Sequence, residues 1–410
     1  THSFTLDGKG SISLPKQLKD AKIKLGSSTY QLGVGGIHST EKKQCMIPGK
    51  NHLLIDKDVA SYYPSIILNE ELYPKHLGKS FLKVYKSIVD ERLKAKKEGN
   101  KIINESLKIV INGSFGKLGS SFSALYSPDL MMMVTLTGQL ALLMLIEKLE
   151  DEGISVVSAN TDGFVSHLHK DQYDIYDTIC LDWELSTGFC LEETRYSALY
   201  SKDVNNYLAV SEKGDYFKGK GIFTLDSIGK NPQADICVDA VIALLKDGTP
   251  ITHTINNCKD LKKFLLVRTV NGGANYRGDY LGRVVRWIYS TSGDTIRYKV
   301  KVKEIEKDKL KDEVTKNVKE LWMKSQVGYM PKYQGEGGKL LYYKHIEEDI
   351  ERKLSKKLEL MLQGSGNKVA KSDDSRPIMN LDCDFPDDLD HKRYISEAID
   401  ILDNIGFTDL

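Results

Sequence analysis

Between Leu130 and Ile146 the sequence LMMMVTLTGQLALLMLI presents about 17 mostly apolar residues in succession, a stretch that has to be hidden either in a bilayer or deep in a core. Gln139 and two threonines interrupt it, and the charged turn EKLEDEG follows at once. It therefore reads as a core helix over 129–150 that ends at Gly153, with no membrane as partner. A helix apolar on every side needs cover on every side. A chain of 410 residues has material for that in roughly two to four domains.

The formal net charge of +1 says nothing about a polyanionic partner. Its distribution says more: residues 1–119 carry 20 Lys/Arg against 11 Asp/Glu, whereas the tail from Leu381 carries 9 acids against 2 bases. A basic front half suits a face presented to phosphates, although solvated helix faces give the same pattern. The six cysteines are scattered without a C-x-x-C pair. That argues against a zinc site or a disulfide framework and for a reducing compartment. The chain opens on Thr1, which leaves open a segment removed upstream or present as another chain.

Residues 1–50 read as short strands and loops, including the Gly-rich run YQLGVGGIHS at 30–39. HLLID (52–56) reads as a buried strand stopping at DKDVASYYPS, with a helix from near Ser65. Helical patterns over Lys79–Gly99 and about Lys101–Phe115, separated by Gly99-Asn100, predict an antiparallel helical hairpin. ISVVSANTDGFVSHL (154–168) alternates as a β-hairpin with its turn at Asn160–Gly163. Residues 171–230 mix a helix with strands ending in YFKGKGIF. Helices are expected at 233–246 and near 258–270, followed by an irregular segment, NGGANYRGDYLGRVVRW, and a charged, partly helical C-terminal region with a loop at 364–378.

Asp58 falls where a buried strand ends and Asp162 at the tip of a hairpin. Two carboxylates meeting in one cleft can hold a pair of divalent cations for phosphoryl transfer, though an arbitrary pair of turn aspartates is a weak signal. On the helical hairpin Arg92 and Lys96 are one turn apart, and Lys108, Asn112 and Phe115 share one face. Cations, an amide and a ring on one face suit a triphosphate carrying a base, while a solvated Lys-rich helix pair is the bland alternative.

The order of these pieces adds weight. Asp58-Val59-Ala60-Ser61-Tyr62-Tyr63-Pro64-Ser65, then Lys108-x-x-x-Asn112-Gly113-Ser114-Phe115-Gly116, then Asn160-Thr161-Asp162-Gly163 resemble motifs A, B and C of family B DNA polymerases. KDVNNY (202–207) with Lys218-Gly219-Lys220-Gly221 resembles the later motif that grips primer–template duplex, and YQLGVGGIHS the Y-x-G-G motif ahead of the palm. Residues 230–241 and 272–287 are similar to phage and mobile-element members. The resemblance covers roughly residues 29–290.

It implies an α+β right-hand polymerase fold: a mainly antiparallel palm (1–78 and 119–230), short two-helix fingers (79–118), and a mostly helical thumb and C-terminal region (231–410). Asp58, Asp162 and the Val59 carbonyl would hold two Mg²⁺ ions, with Mn²⁺ able to substitute. Arg92, Lys96 and Lys108 would hold the incoming triphosphate, backbone amides near Ser61 and Tyr62 its oxygens, and Tyr63 would lie under the sugar. Asn112 and Phe115 would pack on the nascent base pair. Tyr30, Gly35, Gly36, Phe115, Gly116, Lys202, Tyr207, Lys218 and Lys220 are implied DNA contacts, with Arg283 and Arg286 joining the grip on phosphates. Asn160, Gly113 and Phe115 depart from the family pattern, and Asp56 is left a supporting or salt-bridging role.

The 50 residues from Asp58 to Lys108 leave no room for a large fingers insertion, so a nucleic-acid rather than a protein primer is implied. The family's exonuclease acids lie upstream of Y-x-G-G, so no proofreading is expected here, and Asp182-Trp183-Glu184 reads as structural. The implied activity is template-directed extension of a primer with dNTPs in the cytoplasm, such as that of an infected bacterial cell. A separate exonuclease chain or a processivity factor is a conceivable partner. The rivals are a primase-polymerase or terminal transferase on the same core, and a non-catalytic DNA-binding subunit.

Overall fold

The computed structural model describes residues 4–7, 10, 12–224, 231–299, 304–325, 345–358 and 366–408. The chain forms two compact units, Thr1–Leu225 with Asp400–Leu410, and Asp226–Ile399.

In the first unit a small hairpin, β1 (Thr5–Leu6) and β2 (Ile12–Ser13), and one helical turn, α1 (Lys16–Lys19), precede β3 (Lys22–Leu25), β4 (Ser28–Leu32), β5 (Ile37–Ser39), β6 (Lys42–Met46) and β7 (His52–Val59). Four helices follow: α2 (Tyr62–Asn69), α3 (Ser80–Lys97), α4 (Lys101–Leu118) and α5 (Pro128–Asp151). Then come β8 (Ser155–Asn160), β9 (Gly163–His169), α6 (Tyr173–Thr187), β10 (Leu191–Asp203), β11 (Asn206–Ser211) and β12 (Phe217–Gly219). Strands β3–β12 make one sheet in the order β12-β11-β10-β7-β9-β8-β5-β4-β3, with β6 also on β10, and the pairings are antiparallel.

The two-residue period of β7 sends alternate side chains to opposite faces. Leu53, Ile55 and Val59 enter the main core shared with the helices, whereas Leu54 joins a smaller cluster with Val165, Tyr196 and Leu199 on the other face. The apolar helix α5 lies within the main core through Leu142, Leu145, Ile146 and Leu149, each such burial contributing about 1.5–3 kcal/mol. Its polar interruptions are used: Gln139 bonds the backbone of Gly33 through both its oxygen and its nitrogen. The Gly138 carbonyl accepts from the Tyr62 hydroxyl at 2.6 Å. A Cβ at Gly138 would stand 3.2 Å from the Tyr62 ring, so this small residue lets α2 seat against α5. The α3–α4 hairpin turns at the expected place, with Gly99 at φ 71° and the Asn100 side chain capping α4 by accepting from Ile103 N.

The second unit holds α7 (Asp235–Asp247), α8 (Ile251–Asn257), β13 (Leu266–Tyr276), β14 (Asp279–Asp294), β15 (Arg297–Tyr298), α9 (Glu304–Ser325), α10 (345–358), β16 (Ser375–Pro377) and, as far as Ile399, α11 (His391–Asn404). Helices predominate among its described residues, yet it also contains a four-stranded sheet, β15-β13-β14-β16. The segment expected to be irregular, 272–287, is instead the turn and arms of the long β13–β14 hairpin. Gly272, Gly273, Gly278 and Gly282 carry positive φ, which disguises the strands by breaking their alternation at bends and bulges. The helix expected near 258–270 is a short 3₁₀ turn at Leu261–Phe264, after which the apolar run enters β13.

Candidate active site

Asp58 is the penultimate residue of β7 and stands in register with Gly163 at the start of β9. A Cβ on Gly163 would lie 2.2 Å from Asp58 Oδ1, so the glycine makes room for the carboxylate. The β8–β9 turn passes through Thr161 in the left-handed region, φ 59°. Thr161 N donates to Ile37 O at 2.8 Å, and Val59 N to Asp162 O at 2.7 Å, which ties the tip of the hairpin to the end of β7. Gly36 closes the other side; a Cβ there would meet Thr161 Cγ2 at 2.8 Å. The tip thus carries Asp162 to the strand end bearing Asp58. Loss of hydration, and then the charge of Asp58, push the Asp162 carboxyl up. Asn160, in the position where the family motif has its first acid, is engaged elsewhere: its amide donates to Val204 O at 3.0 Å.

Beyond Asp58 the chain turns sharply into α2. Ser61, the N-cap, has φ 51° and ψ 44°, a left-handed conformation costing about 1–2 kcal/mol for a residue with a Cβ. The Arg92 guanidinium donates to Ser61 Oγ at 2.8 Å, linking α3 to this turn. A hollow of about 270 Å³ opens here. It is lined by Asp58, Val59, Ser61, Tyr62, Tyr63, Arg92, Lys96, Lys108, Asn112 and Asp162, and also by Thr161, Leu93 and Glu192. Tyr63 donates its hydroxyl proton to Gly35 O, and its ring lies 4.4 Å from that of Phe115. Lys96 is paired with Glu192. The buried Nε of Arg92 has no hydrogen-bond partner among the described residues.

The other expected contacts divide. Gly35, Gly116, Lys202 and Lys220 are exposed, and Tyr207 packs partly against the smaller core cluster. In the second unit Arg283 is exposed and Arg286 donates to Met379 O at 3.4 Å. Tyr30 is a correction: at 0% exposure it is a core residue and has no surface with which to touch DNA. Lys218 turns its ammonium inward onto Asp56 and Asp58, at 2.9 Å from each. Asp56 fills its expected supporting role through that pair and a bond from the Tyr196 hydroxyl. In Asp182-Trp183-Glu184, Trp183 is buried and donates to Ala141 O and Glu184 accepts from Leu191 N, as a structural role requires, whereas Asp182 is exposed.

Glu192 was not foreseen. It pairs across the ladder with Asp58, so both carboxylates stand on one face of the sheet. Nothing in the local run LEET distinguishes Glu192 from Glu193; only the strand register does.

No protein-family model matches the chain. It is 27% identical over 140 residues to DNA polymerase II of Escherichia coli (strain K12), a match covering 28% of this chain and 18% of that protein. It is 29% identical over 116 residues to DNA polymerase 1 of Aeropyrum pernix, covering 28% of this chain and 12% of that one. The solved family B DNA polymerase from the hyperthermophilic archaeon Pyrobaculum calidifontis aligns with a TM-score of 0.42 at 13% identity, over 90% of this chain and 46% of that one. Both sequence matches are to DNA polymerases. The matched region spans less than a fifth of the length of either curated relative.

Proposed function

We propose that this chain is the polymerising core of a DNA-directed DNA polymerase, extending a primer 3′-hydroxyl with deoxynucleoside triphosphates by two-metal-ion nucleotidyl transfer. The observation that carries this reading is the meeting of two strand-end carboxylates with Arg92, Lys108 and Asn112 around one hollow. Residues 1–78 and 119–230 would be palm, 79–118 fingers and 231–410 thumb.

The donor set fits hard divalent cations. Asp58 and Asp162 are close enough for the charge of one to perturb the other, and carboxylate and carbonyl oxygens are what Mg²⁺ or Mn²⁺ prefers. Among the described residues no three His, Cys, Asp or Glu side chains converge as a cage, in keeping with ions that retain water and phosphate ligands. Asp58, Asp162 and the Val59 carbonyl would hold two such ions. When bound, they acidify the attacking hydroxyl and neutralise the leaving phosphates.

The chain's own residues do the rest. Lys108 and Arg92, which line the hollow, would hold the triphosphate and offset charge on the departing pyrophosphate. Lys96 would join on leaving Glu192, and backbone amides at Ser61 and Tyr62 would bind phosphate oxygens. Tyr63, steadied by Gly35 and Phe115, would lie under the sugar and leave no space for a 2′-hydroxyl, while Asn112 and Phe115 would face the nascent pair. Gly35, Gly116, Lys202, Tyr207 and Lys220, with Arg283 and Arg286 of the second unit, would contact primer–template DNA, whereas Gly36, expected among them, is buried against Thr161. Such contacts are mainly to phosphates, so binding should be salt-sensitive and indifferent to sequence. The setting would be the cytoplasm, with a separate exonuclease or processivity factor as a compatible partner. In this reading the chain does not remove a mismatched 3′ end.

Primer extension with Mg²⁺ tests the reading, comparing the wild type with Asp58→Asn and Asp162→Asn. Extension by the wild type and its loss in both variants is expected. An inactive wild type, or full activity in both variants, overturns it.

A further inference from the structure

Asp56 and Asp58 are two apart on β7, so both project from the same face. Asp56 is almost wholly buried, at 5% exposure, and a carboxylate in that position requires a fixed cationic partner. Lys218 supplies it from β12, where a Cβ on Gly219 would lie 2.2 Å from Phe223 O, a close approach that sets the path of the strand. The ammonium stands 2.9 Å from Asp56 Oδ2 and 2.9 Å from Asp58 Oδ2. Tyr196 donates to the same oxygen of Asp56, so that anchor is held from two sides. Asp58 Oδ1 is left over Gly163, toward Asp162.

We propose that Lys218 is a positioning residue of the two-metal site: anchored by buried Asp56, it orients Asp58 and dilutes the negative charge facing the cations. This rests on the polymerase reading above and departs from the expected role of Lys218 as a grip on the duplex. A side chain with two of its three donors held by carboxylates is poorly placed to hold a phosphate. A fixed positive charge beside Asp58 must also weaken cation binding at the pair while improving its geometry. Its removal should therefore move affinity and rate in opposite directions.

The test uses the full chain with Lys218→Met, Lys218→Arg, Asp56→Asn and the double variant Asp56→Asn/Lys218→Met. Three readouts are taken: Mn²⁺ binding without DNA by electron paramagnetic resonance, primer–template affinity by fluorescence anisotropy, and the rate of single-nucleotide incorporation. For Lys218→Met we expect Mn²⁺ to bind about tenfold tighter, incorporation to slow by about tenfold or more, and DNA affinity to change less than about twofold. The double variant restores the local charge, so Mn²⁺ affinity should return toward wild type while the rate stays low. Lys218→Arg should retain most of both.

Recovery of the rate in the double variant would reduce Lys218 to a neutraliser of Asp56 and overturn the proposal. Weakened DNA binding with unchanged Mn²⁺ affinity would return Lys218 to the duplex grip. If Lys218→Met does not fold, the double variant and Lys218→Arg still decide. Cation binding is read without catalysis. An inactive wild type would sink the polymerase reading while leaving the effect of Lys218 on the acids measurable.

Discussion

Lys57 and Asp58 are neighbours on one strand, and they face opposite ways into opposite electrostatic settings. On the helix-covered face Lys57 is nearly buried and meets Glu193 at 2.9 Å, with Asp177 at 3.9 Å and the Tyr176 ring beneath it. Glu193 also takes a bond from Arg195. On the other face Asp56, Asp58 and Asp162 gather around Lys218, with Glu192 in register beside them and engaged with Lys96. The first face pairs Lys57 and Arg195 with Glu193 and Asp177; the second sets its carboxylates beside a hollow. Buried ion pairs of the first kind hold a structure together when complete and break it when halved. A carboxylate cluster of the second kind, only partly matched by Lys218 and Lys96, is a cost to folding that a bound cation would relieve, which fits the proposed role of this face.

The sharpest way to break this contrast is Asp58→Asn. It should lower nucleotide incorporation by about a thousandfold or more while leaving the melting temperature equal or higher, because it removes repulsion. A large loss of stability would mean that Asp58 is structural. Gly163→Ala should follow, cutting the rate by roughly ten- to a hundredfold, since its Cβ would displace the Asp58 oxygen; steady-state incorporation with a circular dichroism control checks it. On the opposite face Lys57→Met should cost about 3 kcal/mol of stability by leaving Glu193 with Arg195 as its remaining cation, with Mn²⁺ affinity unchanged. Denaturant unfolding and metal titration together separate the two outcomes.

The pH dependence has a definite sign. Burial would raise the Glu193 carboxyl, but its bonds to Arg195 and Lys57 outweigh that and hold it below the ordinary value. Its stabilising effect is therefore full above about pH 4 and lost as pH falls through the depressed folded-state value. The stability gap between wild type and Glu193→Gln should therefore be widest above that window and close as pH falls through it, as read by unfolding midpoints across a pH series. The smallest effect expected is that of Tyr63→Phe. Losing the bond to Gly35 O removes about 1 kcal/mol of ring positioning and should relax discrimination against ribonucleotides a few-fold, whereas Tyr63→Ala should relax it much further. Competing dNTP and rNTP incorporation measures both.

Much of the site was legible beforehand because its signals are local. A strand-ending acid followed by S-x-Y-P, a Lys and an Asn one helical turn apart, and an acid at a hairpin tip each depend on a few adjacent residues. The α3–α4 hairpin and the apolar α5 were readable for the same reason: period and capping lie within the segment. The misreadings were of another kind. Tyr30 sits in a motif-like run, and only packing reveals it as core. The glycines of 272–287 look like irregular loop until β14 pairs with β13.

The sequence alone determined the types of groups available and their order: two strand-end aspartates, a cationic helix pair, and an aromatic turn between them. Those follow from short-range periodicity and turn chemistry. The tertiary structure decided which groups meet. Glu192 faces Asp58 through a β7–β10 register set by residues more than a hundred positions apart. Lys218 reaches Asp56 and Asp58 because the β10–β11–β12 meander returns it to them. Such pairings depend on the register of a whole sheet, set by the burial of every residue along it, and no short window of sequence contains that information.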